Sequence, residues 1–131
     1  MTEISKELKI MLIVDVITAF IYGFLFMIIP EVVYVLRNYP HFAPQFWRLW
    51  GGTCFAMGIF CLIAVKRAEW ENIKIFLEFG ILWLIFAIVV NMLAFTIVIY
   101  SATALLNQWV DNILIIVLII ANSYFYIREN K

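Results

Sequence analysis

Long uncharged, apolar stretches follow one another along the chain, and short polar or proline-containing segments separate them. The uncharged stretch Phe79–Val110 is too long for one span: as a single helix it would measure about 48 Å, whereas the hydrocarbon layer of a bilayer is roughly 30 Å thick. We therefore predict a turn at residues 100–103, where Ser and Thr side chains can cap a new helix and Tyr suits the membrane interface. The chain then divides into four predicted spans, at about residues 10–29, 46–65, 75–99 and 104–126.

The composition agrees with this pattern. Of the 131 residues, 66% are hydrophobic and 14% are charged, whereas a soluble domain has roughly 45–50% apolar and about 25% charged residues. Lys and Arg together number 9, as do Asp and Glu, so no net charge attracts nucleic acid. Only helices and closed barrels satisfy their backbone in lipid, and no alternating ten-residue pattern indicates a barrel. We predict an all-α, polytopic membrane protein, with four transmembrane helices in one antiparallel bundle.

The basic residues predict the orientation of the bundle. Seven of the nine lie in the N-terminal tail, in the segment between the second and third spans, and at the C-terminus, whereas only Arg37 and Arg48 lie on the other side. Because basic residues concentrate on the cytoplasmic side, both termini are predicted to be cytoplasmic. The segment 30–45, with its prolines and aromatic residues, is then predicted to be an outer interfacial loop, with Pro30 ending the first helix.

A stripe of small residues in the second span predicts a helix–helix contact. Gly51, Cys54, Gly58 and Cys61 follow Trp47 at helical spacing, and small residues allow helices to approach each other closely in lipid. The two cysteines are about 10.5 Å apart along the helix axis, too far to form a disulfide with each other. We interpret this stripe, which we call the small-residue seam, as packing and not as a thiol site.

Polar residues within the spans are candidates for function, because each ionised side chain at mid-helix costs roughly 2.5–3.5 kcal/mol to insert. Asp15 and Glu78 lie at similar depths near the inner face, so we expect them to approach each other. Two ionised carboxylates at close range repel, and at least one is then expected to be uncharged at pH 7. Structural polar layers are the alternative interpretation. The predicted ligand or proton site consists of Asp15, Thr18, Tyr22, Glu78, Trp83 and Asn122.

A second polar set lies toward the outer face. Its members are Arg48, Asn91, Asn107, Gln108, Asp111 and Asn112. We predict that Arg48 pairs with Asp111, since Asp111 is the only acidic residue of the outer half apart from Glu31. His41 is the only histidine, so neither a His- and Cys-based metal site nor any other cofactor is predicted.

Short motifs in the first half of the chain carry a family resemblance. Pro30-Glu31 follows the first span, a short aromatic segment comes next, and Arg48–Gly52 (Arg-Leu-Trp-Gly-Gly) opens the second span, with a further glycine at Gly58. This order resembles the DoxX-like small four-helix membrane proteins over about residues 10–65. The resemblance implies a four-helix membrane fold more than an activity, although some members of that family are associated with membrane redox complexes. It implies no catalytic residue.

Three functions stay open from the sequence. The first is a non-catalytic subunit or scaffold that self-associates or joins a larger membrane complex. The second is a small transporter or lipophilic-ligand-binding protein that uses Asp15 and Glu78, and the third is an intramembrane isomerase in which these two carboxyl groups exchange a proton. The predicted partners are membrane lipids, a second copy or another membrane protein and, for the second function, a lipophilic small molecule. An enclosed cavity that touches both carboxylates would favour the second or third function.

Overall fold

The chain is helical from Lys6 to Glu129 apart from short connections, in a computed structural model that describes residues 3–131. The helices are α1 (Lys6–Gly23), which a π-helical turn (Phe24–Ile28) continues, α2 (Pro30–Arg37), α3 (Pro44–Arg67), α4 (Trp70–Ile97) and α5 (Ala102–Glu129). Within the described residues, four helical segments are long and apolar enough to cross a membrane: Lys6–Ile28, Pro44–Arg67, Trp70–Ile97 and Ala102–Glu129. This length and composition indicate a multi-pass membrane protein.

The connection between α4 and α5 covers residues 98–101 and overlaps the turn predicted at residues 100–103. Helix α4 ends at Ile97 and α5 begins at Ala102. The hydroxyl of Ser101 accepts a hydrogen bond from the backbone N–H of Ala104 (3.2 Å), so it caps the first turn of α5. The 32-residue uncharged stretch is thus divided into two helices at a residue that satisfies a free N–H group of the second helix.

The predicted loop at residues 30–45 needs correction, because its first half is the helix α2. Pro30 occupies the first turn of α2, where its fixed φ suits a helix and its missing N–H leaves no hydrogen bond unmade. Neither Gly nor Pro follows before Arg37. Asn38 then ends the helix in the left-handed conformation, with a φ of 52°. Only residues 38–43 connect α2 to α3.

The small-residue seam packs within the chain, where α1 lies along α3 and α4 lies along α5. The four seam residues, Gly51, Cys54, Gly58 and Cys61, are all buried. At Gly51 the backbones meet so closely that a Cβ atom would lie 2.3 Å from the backbone nitrogen of Met27. About three helical turns further on, the Cys61 thiol donates a hydrogen bond to the carbonyl of Leu12 (3.2 Å). The seam therefore faces α1.

Contacts between distant segments define two ends of the bundle. At one end, the N–H of Ile4 donates to the carbonyl of Ala68 in the α3–α4 connection (3.1 Å). The N–H of Ser5 donates to the carboxylate of Glu129 at the end of α5 (3.1 Å). At the other end, the side chain of Asn38 donates to the Ser101 hydroxyl (3.0 Å). The α2–α3 connection thus lies beside the α4–α5 connection.

Candidate functional site

A largely apolar cavity of about 120 Å³ lies between α1, α3, α4 and α5. We call it the bundle cavity. One wall contains the indole rings of Trp50 and Trp83, which stack with their centroids 4.8 Å apart. Its volume is close to that of the ~150 Å³ engineered cavity in another protein that binds benzene, so there is room for about one aromatic ring.

Five of the six residues of the predicted ligand or proton site line this cavity. They are Asp15, Thr18, Tyr22, Trp83 and Asn122. Three of them belong to α1, where spacings of three and seven residues place side chains on one helix face. The remaining two come from α4 and α5. Helical spacing therefore found five residues of the cavity wall, while most of the wall consists of residues that were not predicted.

Asp15 and Asn122 form the polar end of the bundle cavity. The Asn122 side-chain nitrogen donates to Oδ1 of Asp15 (3.2 Å) and to the carbonyl of Leu118 (3.0 Å). No Lys or Arg nitrogen in residues 3–131 lies within 4.0 Å of the Asp15 carboxylate. In the same part of the chain, the buried Oδ1 of Asn122 has no hydrogen-bond donor. This end of the cavity thus presents oxygen acceptors and no cation.

Glu78, the sixth predicted residue, does not line the cavity. Helix α4 turns Leu77 and Ile81 toward it, which leaves Glu78 on an adjacent, exposed face. There the hydroxyl of Tyr126 donates to the Glu78 carboxylate (2.6 Å). The expectation that Asp15 and Glu78 share one site is therefore corrected, because the rotation of α4 about its axis separates the two side chains.

The predicted Arg48–Asp111 ion pair is also corrected. Asp111 accepts hydrogen bonds from Arg37 (2.5 Å) and from the hydroxyl of Tyr22 (2.6 Å), whereas Arg48 pairs with Glu31 (2.6 Å). The Asp111 side chain is 11% exposed, while those of Arg48 and Glu31 are 47% and 53% exposed. The prediction was wrong because residues 30–37 form the helix α2, which brings its C-terminal residue Arg37 to Asp111 on α5. Arg37 was not considered as a partner because this segment was predicted to be a loop.

The Arg37–Asp111 pair is held by further polar groups. Arg37 also donates to the hydroxyl oxygen of Tyr39 (3.4 Å), and that hydroxyl donates to the side-chain carbonyl of Gln108 (3.3 Å). Burial disfavours the charge of the guanidinium, but the bond to Tyr39 and the charge of Asp111 together raise the pKa of Arg37 above its usual value. The Arg37 guanidinium therefore keeps its charge at any physiological pH.

A second cavity, of about 280 Å³, lies on the side of the α2–α3 connection. We call it the loop-side cavity. Aromatic and amide side chains form much of its wall, including Tyr39, His41, Trp47, Asn91, Tyr100 and Gln108. The two cavities have Tyr22, Trp50, Asp111 and Ile115 in common. The hydrogen bond from Tyr22 to Asp111 consequently lies in the wall between them.

The other polar residues of the outer set form structural hydrogen bonds. Asn91 on α4 donates to the side-chain carbonyl of Asn112 on α5 (2.8 Å), as interhelical amide pairs do in membrane proteins. Asn107 donates to the carbonyl of Thr103 one turn earlier (3.0 Å). The Asn91–Asn112 contact fits the interpretation of a polar layer that joins helices, whereas the Asn107 contact lies within α5.

Comparisons with protein-family models, with curated proteins and with solved structures found no match. The resemblance to the DoxX-like proteins stays a prediction. Among residues 3–131, no group of three or more His, Cys, Asp or Glu side chains is placed to hold a metal ion. The chemistry of the site therefore follows from the acceptors, the aromatic walls and the size of the bundle cavity.

Proposed function

We propose that this protein binds a lipophilic small molecule in the bundle cavity, within the membrane. One observation carries the proposal: a mostly apolar space between four helices contains a carboxylate, that of Asp15, with no cation beside it in residues 3–131. Ligand sites are typically apolar pockets with a few polar groups that orient the ligand. Intramembrane ionisable residues that face the bundle interior commonly mark such sites.

The two other functions have less support. The small-residue seam favoured a scaffold, but α1 of the same chain covers it, so it leaves no argument for a partner helix. An isomerase in which Asp15 and Glu78 exchange a proton requires both carboxyl groups at one ligand, and Glu78 faces away from the cavity. Lipids and further copies of the chain stay proposed partners for the exposed apolar faces.

The proposal includes an antiparallel bundle with both termini in the cytoplasm. Its support is the position of seven basic residues near the two termini and on the helix ends that flank the α3–α4 connection, together with the contacts that join these three regions. Membership of the DoxX-like group is proposed on Pro30-Glu31 and on Arg48–Gly52 alone.

Transport is a second candidate, favoured by the common wall of the two cavities. A ligand that passes from one cavity to the other has to displace the Tyr22 hydroxyl from Asp111. Transport therefore predicts that Tyr22→Phe, which removes this hydrogen bond, accelerates ligand exchange. An unchanged exchange rate would contradict it and leave binding alone as the function.

The binding function can be tested with 4-fluorotoluene, a probe of one aromatic ring, by ¹⁹F NMR on the full chain in lipid nanodiscs. Gly80 lines the bundle cavity, and a Cβ atom there would meet only the end of Met57, at 3.8 Å. Gly80→Leu should therefore fill the cavity without forcing helices apart. Gly52→Leu is the matched control, since its Cβ would meet only the sulfur of Met27, at 3.9 Å, and Gly52 is outside the cavity wall.

We expect probe broadening, beyond that in empty nanodiscs, with the wild type and with Gly52→Leu, and its loss with Gly80→Leu. Equal broadening with the wild type and Gly80→Leu would place the probe in lipid and contradict the proposal. So would a wild-type signal that equals the signal of empty nanodiscs.

A further inference from the structure

We infer that the ligand of the bundle cavity is a lipophilic primary or secondary ammonium ion, bound through its N–H groups by Asp15 and Asn122. This inference rests on the proposed function and adds the chemical class of the ligand to it. Two independent features of the polar end of the cavity lead to it, one at each residue.

The first feature is the incomplete hydrogen bonding of Asp15. Its Oδ1 accepts one hydrogen bond, from the Asn122 amide, and no group in residues 3–131 donates to its Oδ2. The five ion pairs of these residues all involve other carboxylates. A carboxylate in an apolar site is costly unless a cation or several donors compensate its charge. An ammonium ligand would supply both the charge and the donors.

The second feature is the buried carbonyl oxygen of Asn122. The residue is 4% exposed, and its Oδ1 has no donor among the residues that the structure describes. Its amide orientation is set by two contacts, because the nitrogen donates to both Asp15 and the carbonyl of Leu118. If the amide were reversed, its oxygen would face Oδ1 of Asp15 and the carbonyl oxygen of Leu118, neither of which can donate a hydrogen bond to it. Buried amide oxygens are nearly always hydrogen-bonded, so an unpaired one on a residue of the cavity wall indicates a missing donor.

An ammonium group matches these two acceptors better than other polar groups do. It carries a positive charge for Asp15 and has at least one further N–H for Asn122. A hydroxyl has a single hydrogen and no charge, and a quaternary ammonium has a charge and no donor. The stacked indoles of Trp50 and Trp83 supply an aromatic wall, which suits the ring of an arylalkylamine and attracts a nearby cation. The volume of about 120 Å³ limits the ligand to about one ring.

Three probes that share one fluorinated ring separate these contributions: 4-fluorotoluene, 4-fluorobenzylamine, which is protonated at pH 7, and 4-fluorobenzyltrimethylammonium, which is larger than the amine by three methyl groups. Their affinities are compared by ¹⁹F NMR in nanodiscs, and only the part of each signal that Gly80→Leu removes is counted. We expect the wild type to bind the primary amine about tenfold more tightly than toluene, as a charge-assisted hydrogen bond allows. The quaternary ion should bind more weakly than the primary amine.

Two substitutions assign the preference to the two residues. Asp15→Asn, which keeps the size of the side chain, should reduce the affinity for 4-fluorobenzylamine about tenfold. Asn122→Leu should abolish the advantage of the primary over the quaternary ion. Glu78→Gln removes a carboxylate outside the cavity wall and is the matched control, which should retain the amine preference of the wild type.

The possible failures are distinguishable. If toluene binds in a manner that depends on Gly80, and the amine binds no more tightly, the ligand class is wrong and the binding function stands. If no probe shows Gly80-dependent binding, the binding function itself is wrong. Equal loss of the amine preference in Asp15→Asn and Glu78→Gln would contradict the assignment to Asp15. This comparison of probes on the wild type needs no variant of the polar end to fold.

Discussion

Gly51 and Gly52 are neighbours on α3 that should respond in opposite ways to the same added methyl group. A Cβ at Gly51 would lie 2.3 Å from the backbone nitrogen of Met27 and 2.7 Å from the carbonyl carbon of Phe26. Both are backbone atoms of the π-helical turn, so no side-chain rotation relieves the clash, and α1 and α3 would have to separate. At Gly52 the added atom would meet only the sulfur of Met27, at 3.9 Å.

The expected difference in stability follows from two terms. Replacing Gly by Ala in a helix interior stabilises by about 0.5–1 kcal/mol at either position, because Gly loses more conformational freedom on folding. Overpacking at Gly51 costs about 1–3 kcal/mol or more. Since the helix term is common to both, Gly51→Ala should be less stable than Gly52→Ala by about 1–3 kcal/mol, and Gly52→Ala should be at least as stable as the wild type.

Unfolding in mixed micelles, with increasing SDS and with helix content followed by circular dichroism, measures this difference. Gly51→Ala should unfold at a lower SDS fraction than the wild type, and Gly52→Ala at the same or a higher fraction. Equal midpoints for the two variants would show that α1 and α3 do not meet at Gly51 at the distance described, and would refute the account of the small-residue seam.

Three further predictions concern the ion pairs and the orientation. Arg37→Leu leaves Asp111 buried without its cation and should lower the free energy of unfolding by about 3–5 kcal/mol. Arg48→Leu breaks an exposed pair and should lower the free energy of unfolding by less than about 1 kcal/mol. Equal losses for the two variants in the same SDS titration would contradict this prediction. Tyr22→Phe removes a hydrogen bond to a carboxylate and should cost about 1.5–3 kcal/mol, so unchanged unfolding would show that the hydroxyl does not hold Asp111. A reporter fused after Lys131 should be active only in the cytoplasm, and activity solely on the outside would reverse the proposed orientation.

The helices could be predicted because the bilayer thickness limits the length of an apolar segment. Because of that limit, the long uncharged stretch was predicted to turn near Ser101, and the structure has its α4–α5 connection at residues 98–101. Helix α2 was missed for a related reason: with eight residues it is too short for an apolar period to be evident, and the prolines on both sides suggested a loop. The helix signals that were present are Pro30 at the first turn and the absence of Gly or Pro up to Arg37.

The site was predicted where neighbouring residues share one helix. Asp15, Thr18 and Tyr22 are related by α-helical spacing, so their common face followed from the sequence. The prediction that Glu78 approaches Asp15 was wrong, because hydropathy indicates only how deep a residue lies in the membrane. The rotation of its helix depends on packing with neighbouring helices. The predicted partner of Asp111 was wrong for the same reason: the observed partner, Arg37, lies on α2, and the position of α2 depends on tertiary contacts.

The central claim is that a small lipophilic molecule binds in the bundle cavity. Crystals of the full chain grown in a lipid phase with 4-bromobenzylamine would test it most directly, since the anomalous signal of bromine locates the ring. We expect one strong bromine peak between Trp83 and α1, with the amine nitrogen within hydrogen-bond distance of Asp15 and Asn122. Bromine peaks confined to the lipid-facing surfaces, with none in the cavity, would contradict it.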